Sequence, residues 1–248
     1  MKYNWVTACL LIILAATGGS KLLGQNFRTW LAVKRGTQQT VSATTSSADI
    51  RKLPKTDSCF KSGKHYAILP NAATIKPQLV EFFSFYCTQC YAFQHKHHIS
   101  DALADSIPPG GTFKQYHVPI LLGPLAKELT RAWIIAGLLG IEKKMSPILF
   151  DGVQKYSTIN KPEDIRQAFL DAGVTAQEYD NSLNSFLVNS LIAQQSQLLK
   201  EAKIYGVPSL LVNKKYRIHP ENFSTKHGIQ GFTQQYLQLT KQLLVAER

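Results

Sequence analysis

An α/β sheet interrupted by a block of helices is the fold class this 248-residue sequence predicts. Three observations carry it. A Val- and Phe-rich run, "PQLVEFFSF" (77–85), is apolar almost without alternation, as a strand buried on both faces is. Residues 125–199 then show almost only helical periodicity. After them "GVPSLLVNKKYRI" (206–218) returns to strand, turn and strand. With 44% hydrophobic residues the chain has enough apolar surface for one large core or two small ones.

Taken in order, the chain opens with an export-type segment. Lys2 precedes the uncharged apolar run "VTACLLIILAA" (6–16), and small residues follow. This layout reads as a signal peptide over 1–18, with cleavage after Gly18. The run is short against the ~20 residues of a membrane span. An uncleaved membrane anchor is the alternative if the helix continues through Leu22 and Leu23, although Lys21 opposes it. Residues 19–59 are rich in Gln, Thr, Ser and Ala and hold no period, as expected of a flexible linker.

"HYAIL" (65–69) predicts a short strand and "PQLVEFFSF" a stronger one. One helix is then expected from the cysteine pair to about Ser106, where "PPGG" stops it, and "TFKQYHVPI" (112–120) predicts the next strand. Leu125, Leu129, Ala132, Trp133 and Ala136 share a helix face, which Gly140 is placed to terminate. Pro162 stands at a first-turn position before a helix ending at Gly173. Thr175 and Glu178 form a capping box opening one long amphipathic segment through Leu199. "FTQQYLQLTKQLL" (232–244) closes the chain as a helix. The expected organisation is an α/β domain from 60–124 and 200–248, with an inserted helical domain at 125–199.

The net charge of +12 comes from 28 basic and 16 acidic residues scattered along the chain. There is no basic stripe interleaved with aromatics and no nucleic-acid-binding motif, so no nucleic-acid partner is expected. Four cysteines are too few for a disulfide-stapled fold. Cys9 lies in the apolar N-terminal run. Cys59 reads as a free thiol rather than as a link to another chain or a modulator of the remaining pair.

That pair, Cys87 and Cys90, decides the chemistry. With His95, His97 and His98 it superficially forms a zinc set, but all five fall on what reads as one helix. They would be strung along its axis rather than arranged tetrahedrally, so no metal is expected and the histidines read as a solvated face. A structural bridge closing so short a loop would constrain the unfolded chain little. A strand-to-helix junction favours reactivity instead. Unpaired N–H groups and the helix dipole at Cys87 favour its thiolate, with Cys90 shielded one turn inside and positioned to attack a mixed disulfide.

Two other features fit redox chemistry. Pro208, after Val207 at a strand start, lacks a ladder donor, and a cis bond there would leave backbone groups free to dock an extended substrate. An ordinary strand-start proline is the plainer reading. Glu81 sits mid-strand, and an inward carboxyl would have a raised pKa suited to relaying protons; a glutamate facing water is the plainer reading.

Several segments in register carry a resemblance: "VEFFSFYCTQCYAF", "YHVPI", "LFDGVQK", "DIRQAFLDAG", "EYDNSLNSFLVNSLIAQQ" and "GVPSLLVN". From about Gly63 to Leu244 the chain resembles the DsbA-type periplasmic thiol:disulfide oxidoreductases, which have a thioredoxin fold with an inserted helical domain. The resemblance implies that Cys87 is the nucleophile, Cys90 the resolving cysteine, Val207-Pro208 the substrate-binding cis-proline loop and Glu81 the buried acid. It implies no cofactor beyond the redox disulfide. It also implies exported proteins as substrates, a DsbB-type quinone-linked membrane oxidase as partner, and the periplasm as location.

Thr88 and Gln89 depart from the family's Pro-His dipeptide, whose histidine helps hold the thiolate. Gln115 stands where the family has a lysine beside the buried acid, and Lys114, one residue off, is expected on the other strand face. Both changes remove positive charge. They predict a less acidic Cys87 and a weaker oxidant than the family's best-known member. A disulfide oxidase is the leading expectation. A reductase or isomerase of the same fold, and a non-redox peptide-binding chaperone module, are the alternatives.

Overall fold

The structure is a computed structural model and describes residues 60–121 and 123–246. The N-terminal apolar run, the Gln/Thr/Ser segment, Cys9 and Cys59 lie outside the described residues. Among those described, no helix is long and apolar enough to cross a membrane.

Five strands form one sheet in the order β1-β5-β4-β2-β3: β1 (Tyr66–Ile68), β2 (Gln78–Phe83), β3 (Thr112–His117), β4 (Ser209–Val212) and β5 (Tyr216–Ile218). β2 pairs parallel with β3 and antiparallel with β4, so it lies inside the sheet, and every residue from Leu79 to Phe83 is buried. The near-continuous apolar run that marks this strand reflects cover on both faces. Its return partner is a hairpin: Asn213 and Lys214, at φ 51° and 57°, turn β4 into β5.

The cysteine pair opens α1 (Thr88–Tyr91), which passes into a π-helical turn (Ala92–Lys96) and then α2 (Ile99–Asp105). The expected single helix is therefore broken. The His97 N–H reaches Ala92 O at 2.8 Å, and His98 adopts a left-handed φ of 51°. Packing explains the break. Six residues of uninterrupted α-helix turn through about 600°, which would point Phe93 roughly 120° away from Ile99. The kink lets Phe93, Ile99 and Leu103 enter the same core as Tyr236 and Leu239. The histidine face is also not uniformly solvated: His98 is exposed, but His95 is half-buried with its ring 5.3 Å from those of Tyr91 and Phe150.

Between β3 and β4 run α3 (Ala126–Leu138), α4 (Glu142–Gln154), α5 (Pro162–Asp171), α6 (Ala176–Leu183) and α7 (Phe186–Glu201). The chain closes with α8 (Gly228–Val245). The predicted face of α3 is buried, and Gly140 follows it at φ 68° with the Ile141 N–H returned to Ala136 O. Pro162 starts α5, and the Thr175–Glu178 capping box starts α6. The segment after that box is two helices rather than one, because Ser185 caps a new start by accepting from the Val188 N–H at 3.2 Å.

Alternation along the strands assigns the two sheet faces. Leu79, Leu210 and Val212 pack with residues of α2 and α8, whereas Val80, Phe82 and Leu211 pack with Leu198 and Ala202 from the end of α7. A further core joins Phe83, Phe85, Cys87 and Cys90 to Leu129, Trp133, Leu149 and Phe150 of the inserted helices. The junction after β2 thus lies where the sheet meets α3 and α4.

Candidate active site

Cys87 is the N-cap of α1, with extended backbone at φ −94° and ψ 113°. Its Sγ accepts from the Cys90 N–H at 3.2 Å and, as a thiol, donates to Val207 O at 3.4 Å. Hydrogen bonding from the Cys90 side chain is the largest influence on its titration. Burial opposes that influence, while the Cys90 and Gln89 N–H groups add to it, and the net effect holds Cys87 below the ordinary thiol value, at about 7. Burial and its neighbour's sulfur drive the Cys90 thiol far upward instead. Cys87 is 6% exposed and Cys90 3%, while Thr88 and Gln89 between them face solvent.

The Val207-Pro208 peptide bond is cis. Both residues are half-buried and line a cavity of about 400 Å³ together with Lys203, Tyr205, Arg217 and Glu221. The sequence-expected Cys87, Cys90, Val207 and Pro208 are therefore brought to one end of the sheet by the strand order, which sets β2 beside β4.

Glu81 points inward and is 3% exposed. Its Oε1 accepts from Ser100 Oγ at 2.9 Å and its Oε2 from Gln115 Nε2 at 2.8 Å; the same amide also reaches Gln94 Oε1 at 2.7 Å. Burial raises the carboxyl to about 7 against the smaller opposing effect of those hydrogen bonds. Its charge acts on Cys90. Lys114 pairs with Val80, one register position away from the Glu81–Gln115 pair, and so belongs to the other sheet face.

Sequence reading missed the residues that α4 contributes. Gln154 Nε2 donates to Phe85 O at 2.7 Å and Cys87 O at 3.1 Å, and Tyr91 Oη donates to Asp151 Oδ1 at 2.8 Å. The available signal was position: Gln154 follows buried Phe150 by four residues and so shares its helix face. Among the described residues, no group of three or more His, Cys, Asp or Glu is placed to hold a metal.

A redox-competent dithiol at a helix N-terminus beside a cis-proline on this sheet order agrees with known proteins. A model of the DSBA-like thioredoxin domain matches residues 78–227. The thiol:disulfide interchange protein DsbA of Pectobacterium carotovorum is 46% identical over 185 residues, covering 75% of this chain and 88% of that protein.

The chain belongs to the DSBA-like thioredoxin family.

DsbA of Dickeya dadantii is 45% identical over the same shares of the two chains. A solved Proteus mirabilis DsbA, a cysteine-to-serine variant with a non-covalently bound peptide PWATCDS, superposes with a TM-score of 0.69 at 39% identity. That superposition covers 75% of this chain and 98% of the Proteus chain. As a DSBA-like protein the chain has the thioredoxin fold with a helical insertion, and it is a thiol:disulfide oxidoreductase.

Proposed function

We propose that this DSBA-like protein donates the Cys87–Cys90 disulfide to exported proteins in the periplasm. The observation that carries the reading is the asymmetry of the pair: Cys87 is held toward its thiolate at a helix N-terminus, and Cys90 is driven toward its thiol by burial. A substrate thiolate attacks Cys87 Sγ, the Cys87–Cys90 bond breaks, and the electron pair leaves on the Cys90 sulfur. That buried sulfur is strongly basic and takes up a proton, which Glu81 is suited to supply because its carboxyl still holds one near pH 7. A second substrate thiolate attacks the substrate sulfur of the mixed disulfide and releases Cys87 as thiolate, a good leaving group because it is stabilised. Two substrate thiols have become one disulfide, and both electrons reside in the Cys87–Cys90 dithiol.

The cycle needs no bound cofactor, since the dithiol is the electron store. It needs an external oxidant, for which a DsbB-type quinone-linked membrane protein is the expected class. Val207 and Pro208 would receive the substrate backbone beside Cys87, with Thr88 and Gln89 tuning the thiolate. The PWATCDS peptide bound by the Proteus relative fits an extended, cysteine-containing occupant. Export rests on the N-terminal run at 6–16, read as a signal peptide or a membrane anchor. The intact mass of the exported protein distinguishes cleavage from anchoring.

A second reading, reductase or isomerase, is favoured by one observation. Gln89 and Gln115 bring no positive charge to the site, so hydrogen bonding alone, with no neighbouring cation, pulls the Cys87 thiol down. Titration of the pair against glutathione separates the readings. A potential well above thioredoxin's ~−270 mV supports donation, and one at that value transfers the protein to the reductase class. Cys87→Ser should abolish dithiol oxidation, and unchanged turnover would remove Cys87 from the mechanism altogether.

A further inference from the structure

The active-site segment 85–95 is tied to the inserted helices at several points. Tyr86 Oη accepts from the Leu125 N–H at 3.1 Å, Tyr91 Oη donates to Asp151, and Ser146 Oγ lies 3.3 Å from His95 Nε2. Phe150 packs against Phe85 with ring centroids 4.7 Å apart. Gln154 differs from these contacts in what it touches. Its single NH2 group spans two backbone carbonyls, those of Phe85 and of Cys87 itself.

We propose that Gln154 is a positioning residue of the redox reaction, a two-pronged amide by which the inserted helices set the geometry and the local field of Cys87. The proposal rests on the reading of Cys87 as the sulfur that forms the mixed disulfide with substrate.

Phe85 lies two residues beyond the end of β2, so its C=O has left the strand ladder. Cys87 O already accepts the first bond of α1, from the Tyr91 N–H at 3.0 Å, and Gln154 occupies its second acceptor direction. Each carbonyl oxygen carries partial negative charge close to a sulfur that must become negative. An amide donor on both oxygens reduces that repulsion in a site shielded from water. The same two bonds hold the backbone on either side of Tyr86, and so hold the N-cap conformation in which the Cys90 N–H points at Cys87 Sγ. The hydrogen bonds of Gln154 go to backbone oxygens rather than to either sulfur. Its influence passes through the backbone of the nucleophile.

Two variants separate this role from packing. Gln154→Met fills the same volume without donors, and Gln154→Glu keeps the length while replacing the donor with an acceptor. The expected result is an upward shift of the Cys87 thiolate titration, followed by ultraviolet absorbance, of about one pH unit in Gln154→Met and more in Gln154→Glu. Oxidation of a model peptide dithiol, in which Cys87 is the leaving group, should slow by about threefold, and Tm should stay near that of the parent. A Cys87 titration unmoved in folded variants would overturn the proposal. In the unmodified protein, the Gln154 side-chain amide resonances should follow the Cys87 titration by NMR, and a flat response would equally overturn it. Full activity in Cys87→Ser would instead sink the underlying reading of the nucleophile, whatever the Gln154 variants do.

Discussion

Gln115 donates its side-chain amide to Glu81 Oε2 across 2.8 Å, so a neutral group holds the buried carboxyl whose charge acts on Cys90. An amide offers a hydrogen bond to the carboxylate but no compensating charge, and burial then dominates. Gln115→Lys should bring the Glu81 titration down from about 7 toward the ordinary carboxylate range. Infrared difference spectroscopy of the carboxyl band against pH would show it; an unmoved band would remove the charge argument.

Glu81 also makes stability depend on pH. Its carboxyl holds a proton up to about 7 in the folded chain against 4.5 as the ordinary value. Between those values the native state binds the proton and the unfolded state does not, so stability falls as pH rises through that window. Glu81→Gln removes the term. Relative to the parent, the variant should gain up to about 3 kcal/mol between about pH 4 and about pH 8 in urea unfolding.

His117 gives the opposite slope. It is fully buried, its Nδ1 lies 2.9 Å from Thr130 Oγ1, its ring stacks on Phe85, and its Nε2 has no hydrogen-bond partner. Thr130 Oγ1 donates to Ala126 O, so His117 Nδ1–H is the donor to Thr130 and Nε2 carries no proton. Burial pushes its pKa down to about 3 from 6.5. Within that range the unfolded chain takes up a proton that the native state refuses, so stability falls as pH is lowered through it, by about 1.4 kcal/mol per unit. His117→Phe should flatten the acid limb of a stability–pH curve measured by chemical denaturation.

Gln89 faces solvent beside Cys87 and gives its sulfur a backbone N–H but no charge. Gln89→His places a titratable cation there. Below the histidine's pKa it should lower the Cys87 titration from about 7 by about one unit. Because the reduced form is then stabilised, the glutathione equilibrium should move toward a stronger oxidant, by about 30 mV for each 1.4 kcal/mol. An unchanged potential would place the control of Cys87 elsewhere than in the dipeptide.

Much of this protein was legible from local pattern. The buried strand at 79–83, the hairpin around Asn213 and the caps at Pro162 and Thr175 follow from periodicity and from backbone preferences acting over a few residues. The Cys87–Cys90 spacing at a strand-to-helix junction named the chemistry in the same way, because a helix N-terminus is a local electrostatic object. Tertiary packing decided the rest. A helical period runs unbroken from Thr88 to Asp105, yet the chain kinks at His98 so that Phe93 and Ile99 can share a core. The partners of Glu81 come from α2 and β3, and the amide on Cys87 O comes from α4, 67 residues along the chain. Sequence determined which groups could react, since that depends on residue type and immediate neighbours. Only the folded arrangement decided which buried donors meet which acceptors, and so how strongly each sulfur holds its proton, because those energies depend on distance and burial rather than on order along the chain.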